Sequence, residues 1–242
     1  MSVRAYLRAP IALVWTLLGT VAIGIVVAVA LRLGALAARS PVVADPSVLG
    51  GLGGFLLTVG FGAAVAAVGA VVWLPCSLAI AYAVGCRIRG EPASFRDSVD
   101  LLRARSEPLY RWIKTRIAIE PIAGRLLTED DVSPAEIAVG CDAFVVPALA
   151  LDAFTLQRAV GLANRAIPQP GRERTLVVGL GSTGLLVAGA VAVGIVGGGV
   201  APSTRTLALG AATLGAVFTA ALDTAWRAGT YARQDLEEGF DR

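Results

Sequence analysis

The feature that most constrains this chain is the absence of charge over long stretches. Ile11 to Leu31 reads "IALVWTLLGTVAIGIVVAVAL", and Ser47 to Cys86 carries no charged residue at all. A helix crosses a hydrocarbon core of about 30 Å with about 20 apolar residues. Both runs are long enough to do so. Two more candidates follow, Thr175 to Ala201 and Thr206 to Trp226. Lipid offers the backbone no hydrogen-bond partners, so spanning segments of this length and composition must be helical. The expected fold class is all-α: a polytopic transmembrane helical bundle with four full spans at about 11–31, 50–74, 175–201 and 206–226. A kinked partial or re-entrant helix over 134–167 and short amphipathic helices in 87–136 complete a single membrane domain.

Composition agrees. The chain of 242 residues is 56% hydrophobic and 16% charged, with a mean hydropathy of +0.72; soluble domains carry about 25% charged residues. The small-residue triplet Ala35-Leu36-Ala37 fits a signal-peptidase site. Signal-peptide apolar regions run only to about 7–15 residues, so the first run reads as a retained anchor. The net charge is +3, and no basic cluster is interleaved with aromatics, which gives nucleic-acid binding no footing. The chain has three cysteines and no histidine. Cys76, Cys86 and Cys141 form no C-x-x-C pair and all lie in apolar segments, so they read as small buried hydrophobes. No metal site and no cofactor are expected, since a zinc site needs four nitrogen or sulfur ligands.

Basic residues set the expected topology, because Lys and Arg collect on the cytoplasmic side. With four spans, the inside holds Arg4 and Arg8, nine basic residues in 87–136, four in 152–174, and Arg227, Arg233 and Arg242, 18 in all. The outside holds only Arg32, Arg39 and Arg205. Both termini are then cytoplasmic, in a multi-pass protein of the cell (plasma) membrane. Letting 137–151 span as well moves the four basic residues of 152–174 outside and inverts the spans that follow, and splitting the 47–86 run too leaves more basic residues outside than inside, so 137–151 must be re-entrant, short or buried against other helices. The 47–86 run is longer than one span needs. It is either two spans in a hairpin or one helix that continues beyond the bilayer as a protein-buried segment. Pro75 favours the second, as a kink site near Val72–Leu74.

The middle is polar. Ser94 with Asp97 three residues on has capping-box spacing, and Phe95, Val99 and Leu102 then share one helical face. A second candidate helix starts at Leu109, with Trp112, Ile113 and Ile117 on one side and Arg111, Lys114 and Arg116 flanking. Such helices can lie in the membrane interface. Ser133, Pro134 and Glu136 mark a helix start, with Asp130 and Asp131 ahead of its positive end. That helix is expected to run through Asp142, kink at Pro147 and turn amphipathic after Asp152, with Leu156, Val160, Ala163 and Ile167 on one face.

An intramembrane carboxylate is a functional hypothesis by default. Asp142 lies five residues into the run from Ile137, about 8 Å along a helix axis. Arg116 and Arg158 are its candidate partners. Asp152 follows ten residues on, and Asp223 has Arg227 at i+4, a spacing for a local ion pair. Together Asp142, Asp152, Asp223, Arg116 and Arg158 make up a possible intramembrane polar site. Gly62, Ala66 and Ala70 form a stripe of small residues, as do Ala190, Gly194 and Gly198. Such stripes let membrane helices approach closely.

The segment "CSLAIAYAVGCRIRGEPASFRDSVDLLRARSEPLYRW" (76–112) and then "FVVPALALDAFTLQRAVGLANRAI" (144–167) resembles an uncharacterised family of prokaryotic polytopic membrane proteins. The motifs carrying the likeness are Arg87-Ile88-Arg89-Gly90 after an apolar helix, and Phe144 to Pro147 leading to Asp152. The resemblance implies six membrane helices and no particular chemistry. This chain departs where the third should be: "YRWIKTRIAIEPIAGRL" carries Arg111, Lys114, Arg116, Glu120 and Arg125.

Two functions compete. The first is a non-enzymatic scaffold, assembly factor or membrane subunit of a larger complex, contacting the lipid bilayer and, through 87–136, a protein partner, with oligomers open to it. The alternative is a small transporter or permease subunit that uses an intramembrane carboxylate beside a broken helix. The sequence has no G-x-S-x-G and no histidine, so no enzyme is expected.

Overall fold

A computed structural model describes residues 2–37, 52–118, 142–166 and 202–238. Every element among them is an α-helix: α1 (Ser2–Leu7), α2 (Pro10–Ala37), α3 (Leu52–Arg89), α4 (Phe95–Ala104), α5 (Ser106–Ala118), α6 (Asp142–Leu151), α7 (Leu156–Arg165) and α8 (Pro202–Glu238). The expected span 175–201, the helix start at Ser133–Glu136 and the stripe Ala190, Gly194 and Gly198 lie outside the described residues.

From Leu52 onward the long charge-free run forms one continuous helix, with Pro75 inside it. Its surroundings change along its length. Phe61, Val68 and Val71 are exposed, whereas Cys76 to Ala81 and Ala83 to Cys86 are buried. Among the described residues the stretch from Gly60 to Val71 is thus largely open on the side away from α2, and the second half is the axis of a packed bundle.

α2 and α3 run antiparallel. A Cβ on Gly34 would meet Phe61, one on Gly69 would meet Ile23, and one on Gly19 would lie 2.6 Å from the Trp73 ring. Gly19 thus lets the indole of Trp73 lie against the α2 backbone. Beyond that point α2 shows its apolar side chains outward: Leu17, Val21, Ile25 and Val29 are all more than half exposed. The exposed apolar face begins at Leu13 and reaches Leu31, about 27 Å at 1.5 Å per residue. Among the described residues, two helices are long and apolar enough to cross a membrane, over Pro10–Leu36 and Gly60–Arg89.

The bundle closes around the second half of α3. Leu78, Ile80 and Val84 share one buried core with Phe144, Val145 and Leu149 of α6, and Ala221, Ala225, Ala228 and Ala232 of α8 belong to it or are buried beside it. Alanines at these positions bring the helix axes close. Phe144 to Ala150 are buried but for a half-buried Val146. The described part of the apolar run from Ile137 is therefore covered by other helices, which is one of the arrangements its length required.

One boundary differs from the sequence reading. The kinked helix over 134–167 is two helices within its described part. Pro147 is accommodated inside α6, and the chain instead breaks at Asp152–Thr155. The Asp152 and Ala153 N–H groups both reach back to the Ala148 carbonyl and end α6. Thr155 then caps α7 by accepting from the Arg158 N–H. A threonine cap restarts the helix in a new direction, which lets the amphipathic face of Val160 and Ala163 turn into the core.

Candidate functional site

Three helix ends meet at one corner of the bundle, and each brings an ionic or aromatic group. α3 and α6 lie side by side and finish together. Leu151 covers Gly85 so closely that a Cβ there would sit 2.5 Å from its methyl. One turn further on, Arg89 Nη1 and Nη2 donate to Asp152 Oδ1 and Oδ2 at 3.0 and 2.7 Å. Arg89 is 9% exposed and Asp152 26%. A planar guanidinium facing a carboxylate fixes both distance and orientation. Asp152 follows the negative end of α6, an unfavourable place for a carboxylate, and the Arg89 fork offsets it.

The third end is the α4–α5 junction. Arg105 is buried, its Nε donates to the Leu149 carbonyl at 3.3 Å, and its guanidinium carbon lies 3.7 Å from the centre of the Phe154 ring. The Leu149 carbonyl belongs to the last turn of α6, where intrahelical donors run out. Burial holds the Arg105 pKa below its ordinary value, while guanidinium still keeps its charge at neutral pH. Phe154, in contrast, is 70% exposed. The corner is thus a staple: two arginines from one side of the bundle grip the end of α6 and the loop after it.

The sequence-predicted polar residues fall as follows. Asp152 joins this corner through Arg89, which sequence reasoning did not single out as its partner. Arg89 and Asp152 lie in separate stretches of sequence, 63 residues apart, and nothing in either stretch pairs them. Asp223 and Arg227 form an ion pair at 2.7 Å along α8, well away in sequence and half-buried. Arg158 is exposed near the start of α7. Asp142 opens α6, and the side chains of Asp142, Arg116 and Ala66 lie outside the described residues. Gly62 and Ala70 are exposed, and a Cβ on Gly62 would meet nothing within 4 Å.

The outer face of α4 and α5 carries a ladder of exposed charges. Asp100 is 3.9 Å from Arg96 and 3.5 Å from Arg103, and Glu107 is 3.0 Å from Arg111. Their inner face buries Ser98, Leu109 and Trp112. Among the described residues, no three His, Cys, Asp or Glu side chains gather as a metal site. The corner holds chain ends together; its arginines already have carboxylate, carbonyl or aromatic partners.

No family model, curated protein or solved structure matches the chain.

Proposed function

We propose that this chain is a multi-pass protein of the cell membrane, with four spans and both termini cytoplasmic. It carries a rigid helical bundle at the cytoplasmic face and works without catalysis, as a scaffold, an assembly factor or the membrane subunit of a larger complex. The observation that carries this reading is the pairing of two surfaces on one fold. α2 presents an apolar face about as long as a bilayer is thick. α4 and α5 present a charged face fixed to the core by Arg105 and Trp112. Such a face offers defined partner contacts at low cost in ordering.

The direction of the helices supports the topology. α2 leaves the bundle and α3 returns to it. α1 packs on α8, with Tyr6 6.4 Å from Phe218 between ring centres. This contact supports a reading in which the amino-terminal helix and the end of α8 lie on the side of the 87–118 surface.

The test has two arms. Reporters active on one side of the membrane, fused at residues 1 and 242, should both report the cytoplasm; opposite locations would overturn the four-span reading. Purification in mild detergent should bring a stoichiometric protein partner, lost when Arg103, Glu107 and Arg111 are charge-reversed together without a change in thermal midpoint. A midpoint that responds to a small solute, with no partner retained, would favour the transporter instead.

A further inference from the structure

The start of α2 is held from two sides, by α1 and by α4. Tyr6 of α1 reaches Thr16, oxygen to oxygen 2.7 Å. The Thr16 hydroxyl donates to the Ala12 carbonyl at 2.8 Å, so Tyr6 is the donor in their pair. The next residue back, Trp15, donates from Nε1 to Ser98 Oγ of α4 at 2.9 Å. Its ring stacks on Phe95 with centres 5.2 Å apart. The Ser98 hydroxyl itself donates to the Phe95 carbonyl at 2.6 Å. Adjacent helical residues point about 100° apart, so α1 and α4 clasp α2 from neighbouring sides.

This clasp sits at the lower edge of the exposed apolar face, which begins at Leu13. On its outside are two large apolar side chains, Leu7 and Phe95, and three exposed arginines, Arg4, Arg8 and Arg96. The nearby acids are largely committed or distant. Asp97 accepts the Ser94 N–H at 3.1 Å as part of the α4 cap, and Asp100 stands 3.9 Å from Arg96 with both side chains mostly in solvent. Apolar residues beside basic ones, at the level where a hydrocarbon face ends, match the boundary between acyl chains and headgroups.

We propose that α1 and the start of α4 form a basic collar that seats on anionic phospholipid headgroups of the leaflet nearest the bundle. Leu7 and Phe95 enter the acyl boundary, and Arg8 and Arg96 meet the phosphates. The inference rests on reading α2 as a span. The collar then fixes how deep the bundle sits, through the hydrogen bonds of Trp15 and Tyr6.

The experiment uses the full chain with its native cysteines replaced by alanine, in nanodiscs. Nitroxide labels are placed singly at residues 7, 95 and 21, and at 111 as an aqueous reference. Collision with dissolved oxygen is compared with collision with a water-soluble nickel chelate. Labels at 7 and 95 should favour oxygen over the chelate, between the values at 21 and 111. In parallel, phosphatidylglycerol in place of phosphatidylcholine should raise the thermal midpoint, and R8Q/R96Q should abolish that rise while insertion is unchanged. Chelate access at 7 and 95 equal to that at 111, with 21 still oxygen-rich, overturns the collar alone. An equal phosphatidylglycerol response in R8Q/R96Q does the same. Free chelate access at 21 overturns the span itself.

Discussion

Arg89 and Asp152, 63 residues apart in sequence, meet as a two-pronged ion pair where α3 and α6 end together. The arrangement joins a helix that reads as a membrane span to one that does not. A shift of either helix along its axis would break both hydrogen bonds at once. The pair therefore sets register as well as contributing energy.

Removing one partner should cost more than removing both. Asp152→Asn leaves the nearly buried Arg89 guanidinium without its counter-charge. Breaking a fully buried pair costs about 3–5 kcal/mol. Asp152 is a quarter exposed, so solvent screening should reduce this to about 2 kcal/mol. The double variant R89M/D152N should recover part of the loss. Thermal unfolding of the variants in one detergent decides the matter, and a midpoint unmoved by D152N would sink the staple.

The Gly85–Leu151 contact predicts a second, steric effect at the same corner. A Cβ at residue 85 would lie 2.5 and 2.6 Å from the Leu151 methyls and 3.0 Å from its Cγ. Gly85→Ala thus forces the whole leucine side chain to move. Overpacking of this kind costs about 1–3 kcal/mol. Leu151→Ala in the same chain should relieve it, so the two substitutions together should be less damaging than their sum. Strict additivity of the two midpoints would show that the contact is looser than it looks.

Local features were legible in the sequence because short-range chemistry creates them. The described part of the charge-free run, from Leu52 onward with Pro75 inside it, is one long helix. Ser94 and Asp97 form the capping box that their spacing implied, and Asp223 meets Arg227 four residues on. What could not be read was pairing across the chain. Arg89 is one of several arginines after a long apolar helix, and nothing local marks it as the partner of Asp152. The break at Asp152–Thr155 was missed because Pro147 was the louder signal. A proline's lost hydrogen bond and ring clash can be absorbed within a helix as a bend, whereas a threonine cap beside an anchored aspartate ends one helix and starts another.

The indole of Trp15 supplies a third test. Trp15→Phe keeps a ring against Phe95 but removes the donor to Ser98, which is fully buried. The loss of one buried hydrogen bond costs about 1 kcal/mol, and the smaller ring adds to it. α4 should loosen first, because this bond ties it to α2. Hydrogen exchange of amides over 98–104 should quicken in the variant, while those over 144–150 hold. Equal loosening of both segments would mean that Trp15 supports the core as a whole and not α4 in particular.

Tyr6 makes stability depend on pH in the alkaline range. Burial raises its pKa above the usual 10.0. A raised folded value means that the fold favours the protonated phenol. The stabilisation is then complete below pH 10.0 and is lost as pH rises through the folded value above it. The buried phenolate would also have to give up its role as donor to Thr16. Tyr6→Phe removes the titration but also the hydrogen bond, worth about 1 kcal/mol. The variant should therefore melt at a lower temperature at neutral pH yet fall less steeply as the pH rises above about 10, where an ordinary tyrosine ionises and the buried one resists. Thermal midpoints of both proteins across that range, with phenolate absorbance followed alongside, make the comparison. Parallel slopes for wild type and Tyr6→Phe would place the alkaline sensitivity elsewhere and leave the Tyr6–Thr16 contact without the weight assigned to it at the start of α2.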